Sequence, residues 1–201
     1  NNLITENNDL KPLNPYGESK KRTEKYLQDN TNRFKFIILR YFNVAGADPG
    51  LRTGLVTKQA SHLIKIVSEV ASKKRDKVVI FGNNYNTPDG TAIRDYIHVS
   101  DLSDIHLRSL DYLLKTKESN VFNCGYGKGY SVKEVIDAAN MITSNVIKYE
   151  YGKSRKGDSE TLVADVSKLK KYIDWTPSYN NLNTIIKTAI AWETQLNEKN
   201  L

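Results

Sequence analysis

Tyr16 and Lys20, four residues apart, are the pair in this chain best suited to acid–base chemistry. On a helix this spacing is one turn, so the two side chains lie on the same face. A phenol with a reference pKa of about 10 is a poor base at neutral pH, but an ammonium group one turn away stabilises the phenolate and lowers that pKa. The pair therefore predicts proton transfer, and the alternative is that Tyr16 only packs or caps its helix.

The same spacing occurs a second time, at Tyr149 and Lys153. These residues fall on a predicted strand, 146–151, and on the loop after it, where residues four apart are separated by about 13 Å. Only the first pair lies on a predicted helix, 16–29, which Pro15 begins. The first pair alone is therefore expected to cooperate.

The rest of the chain alternates strands with helices, which predicts an α/β fold. The dense apolar run at 34–42 (FKFIILRYF) is typical of a strand buried on both faces of a parallel sheet. Ser131, with Glu134 three residues later, predicts a capping box. Further strands are predicted at 77–81, 91–99, 120–124 and 146–151, and further helices at 58–72, 100–115, 131–142, 166–173 and 182–196.

Early strands are too few for a complete doubly wound domain, and no G-x-G-x-x-G turn follows a predicted strand. The nearest glycine cluster, 125–129, has the wrong spacing. It is interpreted as a strand-to-helix turn, with a phosphate cradle as the alternative. The chain starts at Asn1 without a methionine or a secretory signal, so we expect a truncated protein.

The composition is that of an ordinary globular protein, because 39% hydrophobic and 26% charged residues fit neither a disordered nor a membrane-spanning chain. Cys124 is the single cysteine, which excludes an internal disulfide, fits a reducing compartment, and is best interpreted as a small buried hydrophobe. Three scattered histidines and this cysteine predict no metal site.

A net charge of +7 raises the possibility of nucleic-acid binding. The basic clusters at 20–22, 73–75 and 168–171 each stand beside acidic residues, which is typical of solvated helix faces. The charge pattern therefore disfavours a nucleic-acid partner.

Three longer motifs carry a family resemblance. Residues 14–20 (NPYGESK) resemble the catalytic helix of extended short-chain dehydrogenases, and residues 39–47 (LRYFNVAGA) resemble the segment that follows it in sugar-nucleotide enzymes. Residues 80–102 (IFGNNYNTPDGTAIRDYIHVSDL) are similar to a long signature of the UDP-glucose 4-epimerases. Together with RKGD at 155–158, the resemblance to that family covers essentially the whole chain.

The resemblance implies a fold in two parts. Residues 1–50 would be the remnant of a doubly wound NAD-binding Rossmann domain. Residues 51–201 would be mainly the UDP-sugar-binding α/β domain, returning to the Rossmann sheet near 91–99 and 120–124. The full-length protein would be a cytoplasmic homodimer with no membrane partner. It would bind NAD, which this piece is not expected to retain because the family's glycine-rich turn lies upstream of Asn1.

The resemblance also implies roles for individual residues. Tyr16 would exchange the proton of the sugar 4-hydroxyl, and Lys20 would lower its pKa while binding the nicotinamide ribose, so both would be catalytic and cofactor-binding. Asn43 would contact the substrate diphosphate, which Arg94 and Arg155 would clamp. Without the family, Asn43 fits an Asx turn and the two arginines fit surface ion pairs.

The nucleoside end of the substrate would meet three residues. Val79 and Phe81 would contact the uracil, although core strand residues need no such function. Asp158 would bind ribose hydroxyls, or would only be a turn aspartate. His98, between Asp95 and Asp101, is interpreted as a structural histidine rather than a catalytic one.

Two segments depart from the family pattern. Residues 62–65 (HLIK) lack the proline that many relatives carry, which leaves the start of this helix open. Leu162 stands where the side chain limits room for a 2-acetamido group, so the sugar preference is open.

The resemblance thus predicts interconversion of UDP-glucose and UDP-galactose through a 4-keto intermediate with bound NAD, with this chain an inactive piece. Two alternatives stay open. One is a sugar-nucleotide 4,6-dehydratase or decarboxylase of the same family. The other is a non-catalytic module that binds uridine nucleotides or serves assembly.

Overall fold

The computed structural model describes residues 3–57 and 59–199, and it confirms the predicted α/β class. The helices are α1 (Pro15–Asp29), α2 (Leu63–Ala71), α3 (Val99–Thr116), α4 (Val132–Thr143), α5 (Ser167–Tyr172) and α6 (Leu182–Glu198). The strands are β1 (Ile37–Tyr41), β2 (Asn43–Ala45), β3 (Val78–Phe81), β4 (Ile93–His98), β5 (Asn120–Cys124), β6 (Gly129–Ser131), β7 (Tyr149–Gly152) and β8 (Thr161–Leu162).

Most strand pairs are parallel. Strand β1 pairs with β5, from Ile37 opposite Asn120 to Tyr41 opposite Cys124. Strand β4 lies at the centre of a second sheet, parallel to β2 and β8 and antiparallel to β6. Strands β3 and β7 form a third, parallel pair. The chain passes from the first sheet to the second at Phe42, between β1 and β2.

Two apolar clusters form the core. The larger lies between α2, α4, α6 and β3, and the smaller between α3, α5 and β5. Members of the larger cluster include Val67, Ile80, Val135, Ile136, Ile185 and Ile186. Members of the smaller include Ile97, Ile105, Phe122, Cys124, Leu169 and Trp175. The apolar faces of these helices therefore pack into one or the other of the two clusters.

Local capping signals are confirmed by the structure. Ser131 Oγ accepts a hydrogen bond from the Glu134 amide at 3.0 Å, and Glu134 Oε2 accepts one from the Ser131 amide at 2.7 Å, which closes the predicted capping box. At the start of α1, Asn14 Oδ1 accepts from the Gly17 amide at 2.8 Å, and Pro15 occupies the first helical position.

The helix predicted at 58–72 begins later, at Leu63. Its predicted first residue, Lys58, lies outside the described residues. Further upstream α6 contacts the chain through two hydrogen bonds: Gln195 Nε2 donates to the Leu51 carbonyl at 3.0 Å, and Trp192 Nε1 donates to the Leu55 carbonyl at 3.2 Å.

The prediction that 34–42 is a strand buried on both faces is wrong for the described residues. Strand β1 covers only 37–41, only Ile38 within it is buried, and Tyr41 is 52% exposed. Helix α1 lies beside it but has no buried residue. Apolar composition gives a strand the capacity to be buried, and burial itself depends on the elements that cover it.

No helix within residues 3–57 and 59–199 is long and apolar enough to cross a membrane.

Candidate functional site

The predicted pair on α1 does come together. Lys20 Nζ lies 5.1 Å from the centroid of the Tyr16 ring, on the first turns of the helix. The Tyr16 ring is 68% exposed. By contrast, the ring of Tyr149 contacts Lys133 of α4, whose Nζ lies 5.5 Å from its centroid. The helical spacing therefore identifies the pair that can act together.

Arg94 and Asp158, both predicted to contact substrate, form an ion pair. Arg94 Nη2 donates to Asp158 Oδ1 at 2.5 Å, and Nη1 donates to the Ile93 carbonyl at 2.7 Å. The Arg94 side chain is only 11% exposed, and Arg94 stands opposite Leu162 where β4 pairs with β8. This guanidinium is therefore held in one place, unlike that of a surface ion pair.

Arg155 and Phe81 form a second pair. The Arg155 guanidinium carbon lies 4.0 Å from the centroid of the Phe81 ring, which is 38% exposed at the end of β3. A guanidinium stacked at this distance gains a cation–π contact and keeps its N–H groups free to bond at its edge.

A tight turn at 155–158 joins the two pairs. The Asp158 amide donates to the Arg155 carbonyl at 3.1 Å, and Gly157 adopts the left-handed conformation with φ of 79°. A β-carbon at Gly157 would lie 3.2 Å from Leu13 Cδ1, so the turn touches the segment that leads into α1. The nucleotide-binding candidates thus lie next to the helix that carries Tyr16.

Val79 and Phe81 share one face of β3, and the alternate residues Val78 and Ile80 face the core. On the neighbouring strand Gly152 stands opposite Phe81, and a β-carbon there would lie 2.9 Å from Val79 Cγ1. The glycine keeps this apolar face flat, as a planar base would require.

Asn43 is exposed and is the first residue of β2, separated from the end of β1 by Phe42 alone. It borders a cavity of about 390 Å³ between β2, α2 and α6, which His62, Lys65 and Trp192 also line. It also borders a second cavity of about 360 Å³, which Leu162 lines. Asn43 therefore stands between two spaces large enough for parts of a ligand.

His98 has the structural role that the sequence suggested. It is fully buried, its Nε2 lies 3.0 Å from Thr188 Oγ1, and its Nδ1 accepts from the Ser100 amide at 3.1 Å. Its ring stacks on Tyr179 at 4.5 Å. Burial lowers the pKa of His98, and the carboxylates of Asp101 and Asp48 oppose that shift.

Asp95 is an organising residue that the sequence reasoning treated only as a neighbour of His98. It is fully buried, and its carboxylate accepts hydrogen bonds from the amides of Tyr126 at 3.0 Å, Gly127 at 2.9 Å and Ala164 at 3.3 Å. Burial raises the pKa of Asp95, and these three bonds oppose that rise. A signal existed in the sequence, since the carboxyl group stands within a strand beside Arg94.

Segment 125–129 therefore does not provide a phosphate cradle, because two of its amides already bind Asp95. It joins β5 to β6 rather than a strand to a helix, so that prediction is also corrected. Tyr16 and Lys20 are the residues of this chain that the family resemblance assigns to the ribose of NAD. The sequence of this chain contains no G-x-G-x-x-G turn of the kind that binds the phosphates of a dinucleotide.

Several known proteins resemble this chain. A UDP-glucose 4-epimerase of Azospirillum brasilense is 43% identical over 189 residues, which cover 93% of this chain and 54% of that protein. A UDP-glucose 4-epimerase of Streptococcus mutans is 41% identical and matches 95% of this chain and 58% of its own. The chain thus spans a little more than half the length of these relatives.

Solved structures agree with this. A UDP-glucose 4-epimerase from Stenotrophomonas maltophila, with bound NAD and formylated UDP-arabinopyranose, matches 98% of this chain and 59% of its own with a TM-score of 0.94 at 30% identity. A UDP-Glc/GlcNAc 4-epimerase of Campylobacter jejuni matches 96% of this chain and 59% of its own with a TM-score of 0.78 at 48% identity.

The model of one protein family matches residues 2–125, well over half of the chain. With the α/β fold, the Tyr16–Lys20 pair and the two arginine pairs already described, this match decides the assignment: the chain belongs to the NAD dependent epimerase/dehydratase family.

Proposed function

We propose that this chain is the UDP-sugar-binding portion of a UDP-glucose 4-epimerase, which interconverts UDP-glucose and UDP-galactose. The observation that carries the proposal is the turn at 155–158. It joins the enclosed Arg94–Asp158 pair to the Arg155–Phe81 pair, next to the helix with Tyr16. One enclosed guanidinium group and one stacked on an aromatic ring, beside an apolar strand face, suit a diphosphate linked to a flat base.

The bound substrate would extend from β3 towards α1. Val79 and Phe81 would hold the uracil, and Asp158 would accept hydrogen bonds from the ribose hydroxyls. Arg94, Arg155 and Asn43 would bind the diphosphate, with charge-assisted bonds from the two arginines. The exposed side of Asn43, between the two cavities, leaves room for the sugar.

Proton transfer would fall to the pair on α1. Tyr16 would take the proton from the sugar 4-hydroxyl and later return it, and Lys20, one helical turn away, would contact the cofactor ribose. NAD, when bound, supplies the hydride acceptor for carbon 4.

The organisation of the complete protein is part of the proposal. Residues 1–50 would belong to its NAD-binding domain and residues 51–201 mainly to its substrate domain, with returns near 91–99 and 120–124. The complete enzyme would be a cytoplasmic homodimer. Support comes from the family match and from relatives nearly twice as long as this chain.

The test is turnover of UDP-galactose by a protein of the relatives' full length that carries this chain. Tyr16→Phe should lower turnover by about 100-fold to 10,000-fold, because the lost hydroxyl handles a proton in the transition state, and should leave UDP affinity unchanged. Tyr26→Phe is the matched control, since it removes another exposed phenol from the same helix.

Equal loss of turnover and of UDP affinity in Tyr16→Phe would make Tyr16 a structural residue and contradict this assignment. The 201-residue chain should bind UDP but show no turnover and retain no NAD. Turnover by this chain above that of its own Tyr16→Phe variant would contradict the proposal that the 201-residue chain binds the substrate without catalysing its conversion. If the complete protein binds UDP without any turnover, the non-catalytic module is the correct function.

A further inference from the structure

A network of charged side chains joins α2 to α6, and two of its members, Lys65 and Glu193, line the 390 Å³ cavity. Lys65 Nζ donates to Glu193 Oε2 and lies 3.7 Å from Glu69 Oε1. Lys74 Nζ lies 3.0 Å from Glu193 Oε1, and Arg75 Nε lies 3.0 Å from Glu69 Oε2. Two acids on two helices are thus shared among three bases.

The centre of this network is deeply buried. The side chains of Lys65 and Glu193 are 8% and 1% exposed. A buried ion pair stabilises a fold little more than apolar side chains of the same size would, yet removing one partner is strongly destabilising. Its distinctive effect is geometric, because each charge must stay within reach of its partner. The Lys65–Glu193 pair therefore fixes where α2 stands relative to α6.

The part of α2 that the pair fixes is its first turn. Lys65 is the third residue of the helix, and His62, at the N-cap position, provides no side-chain cap. The Lys65 ammonium is a donor and cannot satisfy the free amides of this turn, so what it adds is an attachment of the turn to α6. His62 and Leu63, at the start of this turn, line the same cavity as Asn43.

We propose that Lys65 and Glu193 are positioning residues, whose ion pair sets the first turn of α2 and with it the His62–Leu63 wall of the cavity beside Asn43. The proposal rests on the proposed function only where it assigns a sugar nucleotide to this cavity. The positioning itself is a property of the chain alone.

Amide hydrogen exchange of the 201-residue chain tests the positioning directly. The Ile66 amide donates to the His62 carbonyl at 3.0 Å and so reports the first turn. In Lys65→Met, which keeps most of the apolar stem, exchange at Ile66 should be about tenfold faster or more than in the parent. Exchange of the β5 amides reports unfolding of the whole chain, so it corrects the rate at Ile66 for any loss of global stability in this variant.

Lys74→Met is the matched control, because Lys74 binds the same Glu193 carboxylate from beyond the C-terminal end of α2. It should leave exchange at Ile66 unchanged relative to β5. Lys65→Arg keeps the charge and should behave like the parent. If Lys65→Met and Lys74→Met speed exchange at Ile66 equally, the network only stabilises the fold and the proposal is overturned.

Lys65→Met leaves the Glu193 carboxylate with one partner fewer and can unfold the chain. The double variant Lys65→Met/Glu193→Gln removes both charges, which is close to neutral for a buried pair. It should keep β5 protected while Ile66 still exchanges rapidly. Slow exchange at Ile66 in this folded variant would overturn the proposal independently.

Calorimetry with UDP-galactose and with UDP tests whether the cavity binds the sugar part of the substrate. Lys65→Met should weaken UDP-galactose binding by about tenfold relative to Lys74→Met and leave UDP binding nearly unchanged, since only the sugar would reach this wall. Equal weakening of both would remove the cavity from the sugar site. If the parent binds neither, the proposed function fails, and the exchange results still decide the positioning.

Discussion

The two parts of the candidate site differ in what holds them. Tyr16 and Lys20 lie on α1, a helix with no buried residue, and Tyr16 is 68% exposed. Arg94 and Asp158 are enclosed by β4, β8 and the 155–158 turn, so their geometry is determined by the packed part of the chain.

This difference shows that a motif can have all its residues in place without neighbouring residues that hold their side chains in position. Local spacing is enough to bring Lys20 to Tyr16, because one helical turn does it. Fixing those side chains against a ligand requires packing, since a preorganised site depends on neighbours that lock its rotamers. In this chain the packing is provided around the arginines and not around α1.

Side-chain truncation should show the largest difference between the packed part of the chain and α1. Ile136→Ala, in the fully buried face of α4, should lower the free energy of unfolding by about 2 to 5 kcal/mol through lost burial and a cavity. Tyr26→Ala on α1, whose ring is 58% exposed, should cost less than about 0.5 kcal/mol. Urea denaturation followed by circular dichroism measures both, and similar losses would mean that α1 is packed as tightly as α4.

The two arginines should differ in how much they contribute to stability, although both should contribute to UDP binding. Arg94→Ala and Arg155→Ala should each weaken UDP binding tenfold or more, because hydrogen bonds to charged groups contribute about 1.5 to 3 kcal/mol. Only Arg94→Ala should also lower the melting temperature, because it leaves the partly enclosed Asp158 without its ion pair. Calorimetry measures the binding. If a variant binds UDP within a factor of two of the parent, the arginine that it lacks is only a surface residue.

The smallest effect is a pH dependence at His98. Because burial lowers its pKa below 6.5, the unfolded chain takes up a proton there before the folded chain does. Stability should therefore fall as the pH drops below about 6.5, by at most about 1.4 kcal/mol per pH unit. Urea titrations between pH 7.5 and 5 should show a smaller slope for His98→Asn, which keeps a residue able to cap α3.

His106→Gln, at an exposed position on α3, is the control for that measurement. It should keep the slope of the parent. A His98→Asn variant with the parent's slope would mean that other groups cause the pH dependence.

Contacts between residues close in the sequence could be predicted from the sequence, and contacts between residues far apart could not. The Tyr16–Lys20 pair and the capping box at Ser131 are local, and both were predictable from spacing. The Arg94–Asp158 bond joins residues 64 apart, and the Lys65–Glu193 bond joins residues 128 apart. No local pattern indicates which partner such a side chain finds, since only the sheet order and the helix packing bring them together.

The burial of β1 was mispredicted for a related reason. An apolar run specifies that a strand prefers cover, and only tertiary structure decides whether cover is present. The alternation of strands and helices predicted the α/β class, and the family resemblance added proposals for the site residues, because it carries tertiary information that periodicity lacks. It did not predict the role of Lys65, which departs from the family pattern.

The carboxylate of Asp95 has a consequence for how segment 125–129 responds to its surroundings. The amides of Tyr126 and Gly127 in this segment, and the amide of Ala164 outside it, could bind a dissolved anion but are bound by a carboxylate of the same chain. A tethered group stays at a high effective concentration, whereas free phosphate must compete from solution. The segment should therefore hold one conformation at any phosphate level, in contrast to loops that close only when a nucleotide arrives.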